Sequence, residues 1–278
     1  MQVNTENVKK ALISVNLLFL FSLSLLAQNG INELGARSNG MGNAYSTISD
    51  KWSLFNNPGG IGRLQETSAV ATYLNRYGIT GLSSTGAGFL TNFNYLNAGI
   101  AAYKFGDDLY NESIASIIAG NNFGIASIGI RANYLQYSIE GQGTSGVFTL
   151  DFGGNAQLTE ELTVGAYIRN INQGKVSEIN DQRAPTILYA GISYKANDKL
   201  FLATEVEKDI DFDARFKMGL EYKFLEKFIV RTGVSTNDFT NYLGLGFISQ
   251  KLGVDYALTY DDILGLSHQA SLSYTIKK

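Results

Sequence analysis

The chain has 278 residues, a net charge of −3 and no cysteine. That charge balance excludes the basic excess a nucleic-acid binder needs, and the missing thiols exclude disulfides and cysteine chemistry. Apolar residues make up 45% of the chain, yet the mean hydropathy is only −0.03. They are therefore interleaved with polar residues, as strands with one wet face require. Thirty Gly, 16 Tyr and 16 Phe against 2 Pro is a composition of strands and turns.

Residues 1–27 read as a cleaved secretory signal. Lys9 and Lys10 precede a Leu/Phe-rich run that ends on the small residue Ala27. No later stretch is apolar enough for a spanning helix of ~20 residues, so any membrane crossing falls to strands.

Residues 28–65 show no strand pattern. They are rich in Gly and Asn, and they hold Pro58 and the single tryptophan, Trp52. We expect this stretch to be a plug or hatch, with Gly35, Arg37, Gly40, Gly42, Asn56, Asn57, Pro58 and Gly60 as its characteristic positions. Glycine lets backbone lie close to a wall, and Pro58 biases Asn57 towards an extended conformation.

From Glu66 to the end, strand follows turn follows strand. The pattern predicts strands near 66–77, 80–91, 95–105, 112–121, 125–139, 147–158, 162–171, 185–195, 199–207, 214–224, 228–235, 241–249, 252–260 and 265–276. Alternation is clear in several of them. Phe216, Met218, Leu220, Tyr222 and Phe224 share one face, opposite Arg215, Lys217, Gly219, Glu221 and Lys223. The expected fold is all-β: an antiparallel transmembrane β-barrel of about fourteen strands over 66–278, with the plug inside its lumen. Strands of ~9–11 residues suffice to cross an outer membrane, and an even number suits a bacterial barrel.

The even-numbered connections read as short, for example 92–94 and 250–251. Most odd-numbered ones read as longer and acidic, for example 140–146 and 172–184, with only the first, near Gly78, breaking the rule. Sorting of this kind places the short turns and both termini on the periplasmic side of a Gram-negative outer membrane. Tyr77, Phe93, Tyr95, Tyr103, Phe105, Phe201, Phe224, Phe228, Phe239 and Tyr242 fall near strand ends, as aromatic girdles do.

If the apolar faces meet lipid, a charged set lines the lumen: Arg131, Asp151, Arg169, Glu205, Arg215, Glu221, Arg231 and Asp255. Both signs occur, so these groups can pair, as charges removed from water must. A barrel of fourteen strands is too wide for side chains alone to fill. Either water or a plug must occupy it, and 28–65 is the one stretch long enough to be a plug.

The motifs Gly35-Ala36-Arg37, Gly40-Met41-Gly42-Asn43-Ala44 and Asn57-Pro58-Gly59-Gly60-Ile61 resemble the opening of the PorV/PorQ group of Bacteroidetes outer-membrane proteins, which is related to FadL-type transporters. Leu243-Gly244-Leu245-Gly246, Val254-Asp255-Tyr256-Ala257 and the run from Leu264 to Leu272 resemble the end of that group. The resemblance implies a fourteen-stranded barrel with an N-terminal hatch. It also implies a docking or shuttle role in type IX secretion, with translocon or cargo proteins as partners. The alternative it carries is a FadL-like passive channel for a small hydrophobic ligand. A soluble exported β-protein is the remaining reading, since a sandwich shows the same period of two.

Nothing points to an enzyme or a cofactor. Gly141-Gln142-Gly143-Thr144-Ser145-Gly146 fits G-x-G-x-x-G, but a strand follows where a dinucleotide site needs a helix. We read it as a loop. Asp209-x-Asp211-x-Asp213 starts like a calcium loop, but Ala214 and Leu220 replace the Gly and Glu that would complete it. His268 has Ser267, Asp261 and Asp262 nearby in sequence, yet it shares the parity of Leu272 and Tyr274 and belongs with the lipid-facing set. One histidine and no cysteine leave no metal site.

Overall fold

The computed structural model describes residues 34–177, 182–236 and 239–277. The expected signal at 1–27, and residues 28–33 of the expected plug, lie outside them. The strands are β1 (Thr67–Asn75), β2 (Ser83–Phe93), β3 (Leu96–Gly106), β4 (Tyr110–Phe123), β5 (Ala126–Ile139), β6 (Gly143–Gln157) and β7 (Leu162–Arg169). A two-stranded ribbon follows, β8 (Lys175–Ser177) and β9 (Gln182–Arg183). Then come β10 (Ile187–Lys195), β11 (Leu200–Asp209), β12 (Arg215–Lys223), β13 (Phe228–Ser235), β14 (Thr240–Ile248), β15 (Leu252–Asp261) and β16 (Gly265–Lys277).

All except the ribbon form one closed antiparallel barrel of fourteen strands. Each strand pairs with its sequence neighbour, and β1 closes the ring against β16, with Ala69 opposite Tyr274 and Thr72 opposite Ser271. Closure leaves no strand edge to be capped, which is what allows a sheet to sit in lipid. No helix among the described residues is long and apolar enough to cross a membrane.

The distribution of side chains is the reverse of a water-soluble protein's. Ile100, Ile117, Phe148, Met218, Leu243 and Leu245 are exposed on the outer face, while Arg131, Asp151, Glu205, Lys217 and Arg231 are buried inside. Strand β13 shows the rule in four residues: Phe228 and Val230 point out, Ile229 and Arg231 point in. A closed ring with its apolar faces turned outward does not fit the soluble sandwich.

Three expectations need correction. First, the connections do not sort by length. The odd-numbered ones at 107–109, 140–142 and 262–264 are as short as the even ones; only 76–82 and 170–186 are long, and the latter holds the ribbon. The residues read as loop are strand instead: β4, β5 and β6 have 14, 14 and 15 residues and pair beyond the length a membrane needs. Second, Gly143–Gly146 of the glycine-rich stretch belong to β6, with Ile139 opposite Gly143, so only 140–142 form the turn. Third, the aromatic girdle is incomplete. Phe93, Tyr95, Phe224, Phe228 and Phe239 are exposed, but Tyr103, Phe105 and Tyr242 are buried and Phe201 packs on an interior cluster. Their parity is that of the inward face.

We call the rim at which β1 begins and β16 ends the near rim, and the opposite one the far rim.

Candidate functional site

The site is the barrel interior. Residues 34–64 enter it as a short helix α1 (Ala36–Gly40) and two 3-10 turns, Lys51–Leu54 and Pro58–Arg63. Each turn is set locally. The Asp50 carboxylate accepts from Trp52 N at 2.8 Å, capping the first turn. Asn57 is extended, at φ −66° and ψ 111°, and its side chain accepts from Gly59 N at 2.9 Å. Pro58 then occupies the first position of the second turn, where its missing N–H costs nothing.

The segment touches opposite walls. Ala36 N donates to Ser271 Oγ on β16 at 2.8 Å, and Asn97 on β3 donates to Ile61 O at 2.7 Å. Tyr45 N and Ser46 N donate to the Glu205 carboxylate on β11 at 3.1 and 2.7 Å. Glycine permits the closest approaches. A Cβ on Gly59 would lie 2.4 Å from Gly154 Cα, and one on Gly42, at φ +65°, would lie 2.8 Å from Met218 O. The other expected positions of this stretch are also seated there. Gly35 lies against the Trp52 ring, Gly40 against Gly244 and Gly60 against Ser53. Asn56 donates to Leu34 O at 3.1 Å and Ser38 Oγ at 3.0 Å.

Three charged nodes join segment to wall. In the first, Arg37 grips Glu221 with two bonds of 2.9 and 2.8 Å and reaches Asp50 at 3.0 Å. Arg231 continues the chain, binding Glu221 at 2.6 Å and Asp255 at 2.7 Å. Burial alone would lower the Arg37 pKa, but Glu221 and Asp50 more than offset it and hold the guanidinium above its ordinary value. In the second node, Lys217 lies 3.4 Å from Glu205 and 2.5 Å from Glu207. Its ammonium also stands 5.1 Å from the ring centre of Tyr189, which stacks on Tyr167 at 4.2 Å, and the Tyr45 hydroxyl bonds to that of Tyr167. In the third, Arg131 binds Asp151 at 2.8 Å and donates to the carbonyls of Leu54 and Asn56, both at 3.0 Å.

Arg131 pairs with Asp151, while Glu221, Arg231 and Asp255 form one chain, and Glu205 binds the segment's backbone. Arg169 donates to Phe55 O at 3.4 Å. Arg215 shares the inward parity at the far end of β12 but is only half-buried.

The far half of the interior is different. Leu34, Tyr103 and Phe105 form a buried cluster, and Phe55, Leu82, Tyr110 and Ile114 pack on it while keeping part of their surface accessible. Arg76 lies 5.3 Å from the Phe105 ring centre, and Tyr110 donates to Glu112 at 2.6 Å. Sequence reading missed this patch. Its one signal was inward parity along β3, which Ala98, Ala101 and Ala102 blur.

The other constellations stay apart from it. His268 lies on the outer face, where its Nδ1 is 2.7 Å from the Tyr256 hydroxyl. Among the described residues no group of acids and histidine could hold a metal ion.

No protein-family profile matches the chain, and no curated protein does either. Solved structures of similar fold exist. The toluene transporter TodX of Pseudomonas putida aligns with a TM-score of 0.67 at 9% identity, covering 88% of this chain and 98% of its own. A deltaS2 mutant of the TodX monoaromatic hydrocarbon channel gives 0.68 at 10% identity, covering 90% and 100%. A FadL homologue of Pseudomonas aeruginosa gives 0.60 at 12% identity, covering 90% and 99%. At such identities the likeness is one of fold: this chain has the closed fourteen-stranded barrel of the FadL-type outer-membrane channels.

Proposed function

We propose that the protein is an outer-membrane channel that admits small apolar molecules from the far rim, with residues 34–64 as a plug in its lumen. The observation that carries the reading is the half-buried patch of Phe55, Leu82, Tyr110 and Ile114, which keeps apolar surface open inside the barrel where the other apolar clusters are closed. Apolar and aromatic surface left open in a concave site is where an apolar ligand gains most. The far rim then faces outward and both termini face the periplasm. The fold shared with a toluene transporter and a monoaromatic hydrocarbon channel supports the same reading. The type IX shuttle role implied by the PorV/PorQ resemblance, with its translocon or cargo partners, draws no such support from the comparisons.

Trp52 supplies the test. It is the single tryptophan, it is buried, and its ring lies 6.2 Å from that of Phe55, which borders the patch. Titrating the detergent-solubilised protein with bromobenzene, a heavy-atom quencher, should quench Trp52 saturably. Leu82→Asn should weaken that quenching severalfold. Linear, non-saturating quenching that is identical in both proteins would defeat the proposal.

A further inference from the structure

The membrane-facing wall is not evenly convex. Near the near rim, from β12 to β15, it carries a groove of about 530 Å³ lined by Phe224, Leu225, Phe228, Leu245, Phe247 and Val254. The rings of Phe228 and Phe247 stand 5.2 Å apart in it. Hydrocarbon of the bilayer is its natural filling.

What distinguishes this groove from ordinary barrel surface is the charge at its head. Lys227 immediately precedes Phe228, and its carbonyl accepts from Ile248 N at 2.9 Å, beside Phe247. Lys251 immediately precedes β15, and its carbonyl accepts from Thr275 N at 2.8 Å. The two lysines thus flank the end of β14, one on each side. Both are exposed, and neither has a carboxylate partner among the described residues. Glu226 is the one acid in the connection 224–227. Other connections of the near rim differ: 158–161 carries Glu160 and Glu161 and no lysine, and in 196–199 Asp198 pairs with Lys195.

We propose that this groove and its lysines form a binding site for one anionic phospholipid. An acyl chain lies along Phe228, Leu245 and Phe247, and the headgroup phosphate sits between Lys227 and Lys251. Basic residues at a membrane surface select anionic over zwitterionic headgroups, and the groove fixes where the selected molecule stays. Free phosphate would lack the chain, and a neutral lipid would lack the charge. The site is on the outer wall, so it is independent of what the channel carries.

The test uses the full-length protein in detergent, titrated with phosphatidylglycerol or phosphatidylcholine and followed by native mass spectrometry. One phosphatidylglycerol should bind saturably and in preference to phosphatidylcholine. Lys227→Gln with Lys251→Gln should remove that preference, at about fivefold in affinity for each lysine. Leu245→Trp, which fills the groove, should weaken both lipids. Lys104→Gln, on the outer face near the far rim, should change nothing. Heat-modifiable migration on a gel reports whether each variant keeps its barrel. A folded double variant with its preference intact would overturn the site. So would equal binding of the two lipids by the unaltered protein, or selective retention of lipopolysaccharide in place of phosphatidylglycerol.

Discussion

Two regions of the barrel interior are built from the same kind of strand but to different ends. Around the charged nodes the buried side chains are paired, and the inserted segment lies against the wall through glycine. Arg231 bridges Glu221 and Asp255, with its own side chain fully buried. At the far ends of β3 and β4 the inward residues include Tyr103, Phe105, Tyr110 and Ile114, beside Arg76 and Glu112, and several keep open surface. Paired charges in a low-dielectric interior are held in place because separating them is costly. Loosely covered apolar surface can exchange one neighbour for another at little cost. On the channel reading proposed above, the charged nodes hold the segment and the apolar patch is the place for a ligand.

The sharpest way to break that contrast is Arg231→Leu. It strands Asp255 and half of the Glu221 interaction, and it should cost ~3–5 kcal/mol. Urea unfolding followed by Trp52 fluorescence would measure it; a loss below ~1 kcal/mol would mean the charged nodes are wet and their ion pairs are loose. Next is Gly59→Ala, which forces a methyl into the backbone of β6 and should cost ~1–3 kcal/mol by the same assay. Ile114→Asn sharpens the contrast from the other side. It should change stability by only about 1 kcal/mol, because Ile114 is half-buried, yet lower the affinity for bromobenzene severalfold. The smallest effect belongs to neither region: His268→Phe, on the outer face, should stay within ~0.5 kcal/mol and leave ligand binding unchanged.

The charged nodes were more legible in the sequence than the apolar patch, for a physical reason. A charge on the lipid side of a strand is expensive, so Arg131, Glu205 and Arg231 declared their inward direction by type alone. Tyr and Phe are welcome at an interface, in a strand and in a core alike, so Tyr103 and Phe105 were assigned to the girdle and proved to face inward. Strand ends followed the same logic. Where β4, β5 and β6 run past the membrane, water on both sides removes the apolar–polar sign of alternation, and Gly143-Thr144-Ser145-Gly146 looked like loop. The partnership of Arg37 with Glu221 spans 184 residues. Period and composition place each residue on a face, but they do not select which of several inward carboxylates an arginine takes.

The inserted segment also works as an internal strap. Its bonds reach Ser271 on the last strand and, through Ile61, Asn97 on the third, on either side of the seam where Thr67–Asn75 meets the C-terminal strand. Parting that seam therefore means giving up contacts within the lumen as well as the ladder itself.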